Sequence, residues 1–470
     1  MTLPGGASKM NYHRYIGCRD KPVETCLIGT GAFGRSYLRQ AQASRHLVAR
    51  VASDISAAKA AEALIAVGID RSSIELCETA AEAKNAWARG KHIAAGDLAA
   101  VIDLPIEVVI EATGDPEAGA RHSMLAVEAG RHLALVSKEV DIVVGPGLSA
   151  RARERGCVVT PIDGDQPSLL INLVTWAEVL GLTIVAAGKS SEYDFVYDQR
   201  SGTLTCNGRT ADAPDFAKVW ADEGRNMGAL ALERARLAPS FSLRTVPDLC
   251  EMLIAANALD LQPDRPDLHS PLLRIPEVPT AFATTAEGGL LEGNRRVDVF
   301  NCLRRADEVS FAGGVFVVVR CEDPDSWQML REKGHILGRD DKTAMLYLPR
   351  HLLGLEAATS ILEAGTRGIS SGAEAPQPRF DLALRAETDL RAGTMLTASG
   401  HHHSIEGTTG HAVPGRALQP GVPIPYYLAA NRRLLRNVAK GELLRCEDVE
   451  IAEDSYLALL RRRQDAIFFG

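Results

Sequence analysis

Apolar and polar positions alternate in several rhythms along the chain, and the clearest comes first. A short apolar run, Val23-Glu24-Thr25-Cys26-Leu27-Ile28, passes into Gly29-Thr30-Gly31-Ala32-Phe33-Gly34 and then into a helical stretch over 35–43. Further apolar runs at 47–52, 106–111, 133–136 and 157–160 read as strands, and 116–129 reads as a helix. Strands alternating with helices predict an α/β domain with a parallel sheet.

After Pro161 the rhythm changes. A polar turn over 162–168 opens an apolar helix at 169–179, and a strand at 182–187 ends in Gly188-Lys189-Ser190-Ser191-Glu192. Residues 194–240 are polar and loop-rich, with a helix expected over 213–236; a second helix, 248–258, carries Glu251 and Asn257. A Pro-rich connector spans 263–279, and strands are expected at 297–303 and 315–320 around a Gly313-Gly314 bend. This region reads as a catalytic and oligomerising domain with a mostly antiparallel sheet. A strand at 345–348 and a helix at 351–365 return the chain to the first domain, and 368–378 has linker composition. Leu390-Arg391-Ala392-Gly393-Thr394-Met395-Leu396 recurs loosely as Ala439-Lys440-Gly441-Glu442-Leu443-Leu444, which suggests a small β-rich domain. The expected fold is therefore α/β in three parts. A nucleotide-binding domain at 1–160 is completed by about 335–370, an α+β catalytic domain covers 161–334, and a β-rich domain covers 380–470.

The glycines at 29–34 have distinct tasks. Gly29 permits the tight turn, Gly31 lets a pyrophosphate approach the backbone, and Gly34 lets the helix pack on the strand. Asp54 follows Gly34 by twenty positions, completing the order strand, turn, helix, strand, acid. This is a Rossmann-type dinucleotide fingerprint, with Gly29, Thr30, Gly31, Ala32, Phe33, Gly34 and Asp54 as cofactor residues. Asp54 favours NAD through its carboxylate, yet Arg35, Arg50 or Lys59 would offset it and admit NADP; alternatively Asp54 caps a helix starting at Ser56. Thr113, Gly114, Ser137, Lys138 and Glu139 fall at strand ends, where ligands of open sheets collect, and are expected on the nicotinamide side.

Composition narrows the partners. The 470 residues hold 52 Lys and Arg against 60 Asp and Glu, a net charge of −8, so nothing supports a nucleic-acid surface. No uninterrupted apolar run is long enough to span a membrane, and residues 1–20 lack the apolar core of a secretory signal. Nine cysteines without a CxxC pair suit a reducing compartment, and a cytoplasmic protein is expected. Asp163, Asp165, Gln166, Lys189 and Glu192 stand on two adjacent segment ends, suited to holding a polar substrate. Lys333-Gly334-His335 at a turn would suit an anion. Three adjacent histidines, 401–403, cannot all face one metal from a regular strand. The chain has no HExxH or GxSxG motif, and its Gly-rich loop lacks the Gly-Lys-Ser/Thr completion of a triphosphate loop.

Taken together, the 29–34 fingerprint, the Lys138 strand end, Asp163-Gly164-Asp165-Gln166-Pro167, Gly188-Lys189, Lys333-Gly334-His335 and His351-Leu352-Leu353-Gly354 resemble a known family. It is the homoserine-dehydrogenase-like oxidoreductases with a C-terminal SAF-type domain, and within it the DXR-like (DRL) reductoisomerase branch. The resemblance runs from about 20 to 465. It implies a SAF-like domain at 380–470, NADP(H) or NAD(H), Mg²⁺ or Mn²⁺, and conversion of 1-deoxy-D-xylulose 5-phosphate to 2-C-methyl-D-erythritol 4-phosphate; a homo-oligomer is expected separately, because the middle sheet needs cover. Lys138 stands where that family has the lysine of a Thr-Ala-Asn-Lys-like segment, here altered to Val136-Ser137-Lys138. On this reading Lys138 or Lys189 polarises a carbonyl, and Asp163, Asp165 or Glu192 acts as base, with Asp165 and Glu192 as the metal candidates. Arg331, Lys333 and His335 would contact the phosphate. The competing readings are a homoserine-dehydrogenase-like reduction of another small aldehyde without rearrangement, and a non-catalytic nucleotide-binding protein.

Overall fold

The computed structural model describes Arg19, residues 21–399 and residues 403–470. The chain divides into two compact units. The first contains the residues up to Asp165, Leu352–Ala375 and Ser455–Gln464; the second contains Gln166–His351, Pro376–Asp454 and Asp465–Gly470. No helix among the described residues is long and apolar enough to cross a membrane.

The first unit is built on β1 (Val23–Ile28), α1 (Ala32–Ala43), β2 (Leu47–Ser53), α2 (Ala57–Ala66), β3 (Ile74–Cys77), α3 (Ala80–Ala88), β4 (His92–Ala95), β5 (Val108–Glu111), α4 (Pro116–Glu128), β6 (His132–Leu135), α5 (Lys138–Glu154) and β7 (Val159–Pro161). The strands form one sheet in the order β3-β4-β2-β1-β5-β6-β7, and every pairing is parallel. The chain leaves β1 toward β2 on one side and returns to β5 on the other, which makes the carboxyl ends of β1 and β5 a topological switch point. Small side chains let the layers approach closely: Ala49, Ala52, Ala60, Ala61, Ala63 and Ala94 share the core with Leu27, Leu64 and Ile110. Helix starts are capped as the sequence allows. Ser56 caps α2, Thr79 and Glu82 form a capping box on α3, and Asp115 caps α4. The returning helix Ala358–Arg367 closes the core; a Cβ on Gly365 would lie 2.6 Å from Val23 Cγ1, so only glycine fits that crossing.

The second unit carries α6 (Gln166–Val179), β8 (Ile184–Ser190), β9 (Phe195–Asp198), β10 (Thr203–Cys206), β11 (Arg209–Asp212), α7 (Met227–Leu237), α8 (Val246–Ala258), β12 (Gln262–Pro263), β13 (Leu272–Leu273), β14 (Arg296–Arg304), β15 (Val315–Arg320) and β16 (Thr343–Leu348). The sheet order is β11-β10-β9-β14-β8-β15-β16, with β12 and β13 also on β14. This sheet is mixed rather than mostly antiparallel, because β14 runs parallel to β8, β9, β12 and β13. Phe282, Phe300, Phe311 and Phe316 fill its core.

Three boundaries differ from the sequence reading. The loop-rich stretch 194–240 hides the antiparallel strands β9, β10 and β11, whose short polar pattern gives little periodic signal. The strand at 343–348 is the edge of the second sheet, so the return to the first unit starts at Leu352 rather than near 335. Residues 380–454 do not separate as a unit of their own. Phe380–Ala386 pairs with Thr408–Pro414, and Asn257 of α8 exchanges hydrogen bonds of 2.9 and 3.0 Å with the Phe380 backbone.

Candidate active site

The Gly-rich turn has the predicted geometry. Gly29 has φ +89°, and a Cβ there would strike the Ala112 carbonyl of the loop after β5. A Cβ on Gly34 would meet the Gly29 carbonyl and lie 3.1 Å from Leu27 Cδ2, so the glycine sets the approach of α1 to β1. Gly31 differs: nothing stands within 4 Å of where its Cβ would be. It also starts α1 without any side-chain cap, leaving the first-turn N–H groups to an anion. These residues fit a dinucleotide pyrophosphate.

Asp54 is a hub beside this turn. Its Oδ2 accepts the Thr30 N–H at 2.8 Å and the Thr30 hydroxyl at 2.5 Å, while its Oδ1 accepts the Ile55 N–H at 2.8 Å and pairs with Lys59 Nζ at 2.9 Å. Burial opposes ionisation, but the hydrogen bonds from Thr30, Lys59 and Ile55 outweigh it and hold the carboxyl at about 2. The helix cap is Ser56, not Asp54. Of the three basic residues considered against a 2′-phosphate, Lys59 adjoins Asp54 and Arg35 donates to the Thr30 carbonyl at 3.1 Å. Arg50 is engaged elsewhere, stacked 4.0 Å over Trp87 and bonded to the Lys91 carbonyl.

At the ends of β5 and β6 the expected residues converge on one unforeseen group. Glu111 Oε1 accepts the Thr113 N–H at 3.0 Å and the Thr113 hydroxyl at 2.5 Å, and the Gly114 N–H donates to Ser137 Oγ at 2.9 Å. Burial, partly opposed by hydrogen bonds from the Ser137 and Thr113 hydroxyls, pushes the Glu111 carboxyl up to about 7. Lys138 begins α5 directly after Ser137, the N-cap. In the same unit, Asp163 accepts the Thr359 hydroxyl at 2.5 Å and donates its N–H to Ser360 at 2.9 Å, which fastens the turn after β7 to the returning helix. Asp165 acts instead on Asp141 of α5. Burial first, and then the charge of Asp165, push the Asp141 carboxyl up to about 7.

In the second unit Lys189, near the end of β8, is 2 % exposed and pairs with Asp248 at 2.9 Å and with Glu251. Asp248 and Glu251 stand one turn apart on α8, and Asp248 also accepts the Ser191 hydroxyl at 2.8 Å. The carboxylates outweigh desolvation and raise the lysine further above its usual range. Sequence reading singled out Lys189 and Glu251 separately; their juxtaposition, 62 residues apart, was not visible in it. The Gly313 N–H donates to the Ser191 carbonyl at 3.2 Å, and a Cβ on Gly313 would collide with the His351 ring and lie 3.1 Å from Gln166 Nε2. Gln166, Lys189, Ser191 and His351 thus gather at one end of the sheet, and Glu192 follows β8 there.

The expected phosphate contacts are not part of that gathering. Arg331 pairs with Asp341 and donates to the Gly338 carbonyl at 3.1 Å. Ile336 and Gly338 pair along the outer side of β16, through bonds of 2.9 and 2.7 Å, so Lys333 and His335 lie exposed beyond that edge. Strands β15 and β16 stand between them and β8, a separation of roughly 14 Å at ordinary strand spacing. The turn is real, but the helix before it, Pro324–Glu332, buries only Trp327 and places the turn on the rim.

Among the described residues no group of three or more His, Cys, Asp or Glu side chains is placed to hold a metal ion, and Asp165 and Glu192 form no such group. His401 and His402 lie outside the described residues.

Residues 164–357 match the family described as oxidoreductase DRL, catalytic domain. A stretch of 121 residues is 32% identical to a 1-deoxy-D-xylulose 5-phosphate reductoisomerase of Anaeromyxobacter dehalogenans, covering 24% of this chain and 31% of that protein. The chain therefore spans about a third of the curated relative it matches. Among solved structures, 1-deoxy-D-xylulose 5-phosphate reductoisomerase from Zymomonas mobilis in complex with NADPH is similar at 17% identity, with 37% of this chain and 47% of that one covered and a TM-score of 0.28. GenD2 from gentamicin A biosynthesis, in complex with NAD, is similar at 16% identity, with coverage of 42% and 47% and a TM-score of 0.26. Structural likenesses of this size decide neither substrate nor reaction. The parallel sheet with its Gly-rich turn has the form of a dinucleotide-binding domain, and residues 164–357 are similar to the catalytic domain of DXR-like oxidoreductases.

Proposed function

We propose that the chain converts 1-deoxy-D-xylulose 5-phosphate to 2-C-methyl-D-erythritol 4-phosphate as an NADPH-dependent reductoisomerase. The observation that carries this reading is the DRL catalytic-domain match over 164–357, supported by the 121-residue stretch shared with a reductoisomerase. The cofactor-binding residues are Gly29 to Gly34, Asp54, Thr113, Gly114 and Ser137; when bound, a reduced nicotinamide supplies the hydride. Rearrangement of the ketose breaks one carbon–carbon bond and forms another, so it needs a cation to polarise a carbonyl and a group to carry one hydroxyl proton. Lys138 or Lys189 is the polarising cation; Lys189 is held between two buried carboxylates, Asp248 and Glu251. Asp165 is the first choice for the proton carrier, because its charge acts on Asp141, whose carboxyl burial and Asp165 together push up to about 7. Asp163 has a positioning role through Thr359. Lys189 and Glu192 are the second unit's candidates for substrate contact on this reading.

The test is oxidation of NADPH and of NADH with 1-deoxy-D-xylulose 5-phosphate, with and without Mg²⁺ or Mn²⁺, and NMR of the product. Consumption of NADPH with a branched carbon skeleton in the product is the expected result. Reduction of a different small aldehyde, with no reaction of the ketose phosphate, would overturn the reading in favour of a simple dehydrogenase.

A further inference from the structure

Glu111 is the best-buried carboxyl near the cofactor residues, and nothing in the proposed reaction uses it. It ends β5, is 0 % exposed, and one of its oxygens, Oε2, has no hydrogen-bond partner among the described residues. Its surroundings are defined on every side. Ile28 of β1 and Leu135 of β6 are its partners in register. Helix α4 presents Gly119, where a Cβ would lie 3.2 Å from Oε2 and 2.6 Å from Val140 of α5. The ionisable group that acts on it is Glu139, in the first turn of α5, itself 4 % exposed. Through Oε1 and Ser137 the carboxyl holds Thr113 and Gly114, the loop at the switch point where the nicotinamide half of a dinucleotide is expected.

An oxidised nicotinamide carries one more positive charge than a reduced one. A carboxylate fixed below that loop, in a medium from which water is excluded, distinguishes the two by charge alone. We propose that Glu111 is a positioning residue that sets which oxidation state of the nicotinamide is bound more tightly: ionised it favours the oxidised cofactor, protonated it favours the reduced one. This rests on the dinucleotide reading of the first unit. Burial places the transition of the carboxyl at about 7, so the preference changes within the working range of pH. Oxidised cofactor then binds with release of a proton from Glu111, and its affinity rises with pH.

The experiment measures Kd for NADP⁺ and for NADPH by calorimetry from pH 5.5 to 8.5, in the full chain and in Glu111→Gln. Titration of the 2′-phosphate is common to both forms and cancels in the ratio of the two constants. In the native chain the ratio Kd(NADP⁺)/Kd(NADPH) is expected to fall about tenfold as pH rises through neutrality; in Glu111→Gln it is expected to be flat. An unchanged slope in the variant, or equal weakening of both dinucleotides at every pH, overturns the proposal. Should Glu111→Gln fail to fold, Ser137→Ala takes its place. Loss of a hydroxyl that favours the charged form is expected to move the midpoint upward, and an unmoved midpoint overturns the proposal. Failure of the native chain to bind either dinucleotide overturns the cofactor reading itself, a result distinct from binding without pH dependence.

Discussion

Single residues decide where this chain holds protons. Asp141 and Asp165 act on each other in the first unit, and burial together with that neighbour pushes Asp141 up to about 7. An unfolded aspartate titrates near 3.9. A carboxyl raised on folding contributes stability that is fully present below the unfolded value and lost as pH climbs through the folded one. The native chain should therefore lose stability between about pH 4 and 7 on this account. Asp141→Asn removes the titrating group but keeps its shape. Its Tm is expected to match the native chain at pH 4 and to exceed it by a few degrees at pH 8; equal Tm values at pH 8 would exclude the effect. Such groups are where the sequence was least informative. Glu111 reads as the last residue of an apolar strand, and Asp248 as one acid on a helix. Only the fold brings the first beneath Thr113 and Ser137, and the second onto Lys189, 59 residues away along the chain by the difference 248 − 189.

At the level of elements, the strand-turn-helix unit was legible because its chemistry is local. A tight turn, a close backbone approach and a helix start all lie within 23–43, and each needs a particular residue at a particular place. The three glycines nevertheless fail differently when substituted. Gly29→Ala places a methyl against the Ala112 carbonyl at a left-handed φ, so folding of the first unit is expected to suffer, measured as a fall in Tm. Gly31→Ala meets nothing within 4 Å, so its Tm is expected to be that of the native chain while dinucleotide affinity falls at least tenfold. A Gly31→Ala chain that binds the cofactor normally would remove the pyrophosphate from this turn. The second sheet was harder to read for the opposite reason. β14 receives four parallel partners from distant parts of the chain, and neither turn residues nor alternation at 296–304 encode who those partners are. The exposed turn at Lys333-Gly334-His335 shows the same limit. Its residue types suit an anion, but its position on the outer side of β16 is set by pairing with 343–345, which composition does not reveal.

Across the whole molecule, long-range closure matters more than the order of segments. The segment after residue 375 is shared between the two compact units. The strands at 380–386 and 408–414 join the second unit, and Ser455–Gln464 joins the first. The second closure has a definite physical basis. Pro146 sits inside α5 and cannot donate to the helical ladder. One rung of that ladder, between the Gly147 N–H and the Val143 carbonyl, is bridged by the amide of Gln464, 1 % exposed, whose Oε1 accepts the Gly147 N–H at 2.8 Å and whose Nε2 donates to the Val143 carbonyl at 3.1 Å. The Cβ of any residue other than glycine at 147 would lie 2.7 Å from Gln464 Cβ, so the insertion and the glycine require each other. Ser455 and the Leu457 N–H fasten the start of the same segment to Glu117 of α4. Both helices touched begin just after the loops that carry Gly114 and Ser137, and the contact with Glu117 lies in the first turn of α4, so the segment braces the helices that follow those loops. Gln464→Leu keeps the volume and removes both hydrogen bonds, leaving a buried N–H and a buried carbonyl unpaired. Each such group costs about 1–3 kcal/mol. A loss of about 2–6 kcal/mol of stability is expected, with faster amide exchange centred on Gly147 and no change at Gly31. Exchange that accelerates evenly over the whole first unit would instead mean that α5 has no local dependence on this side chain.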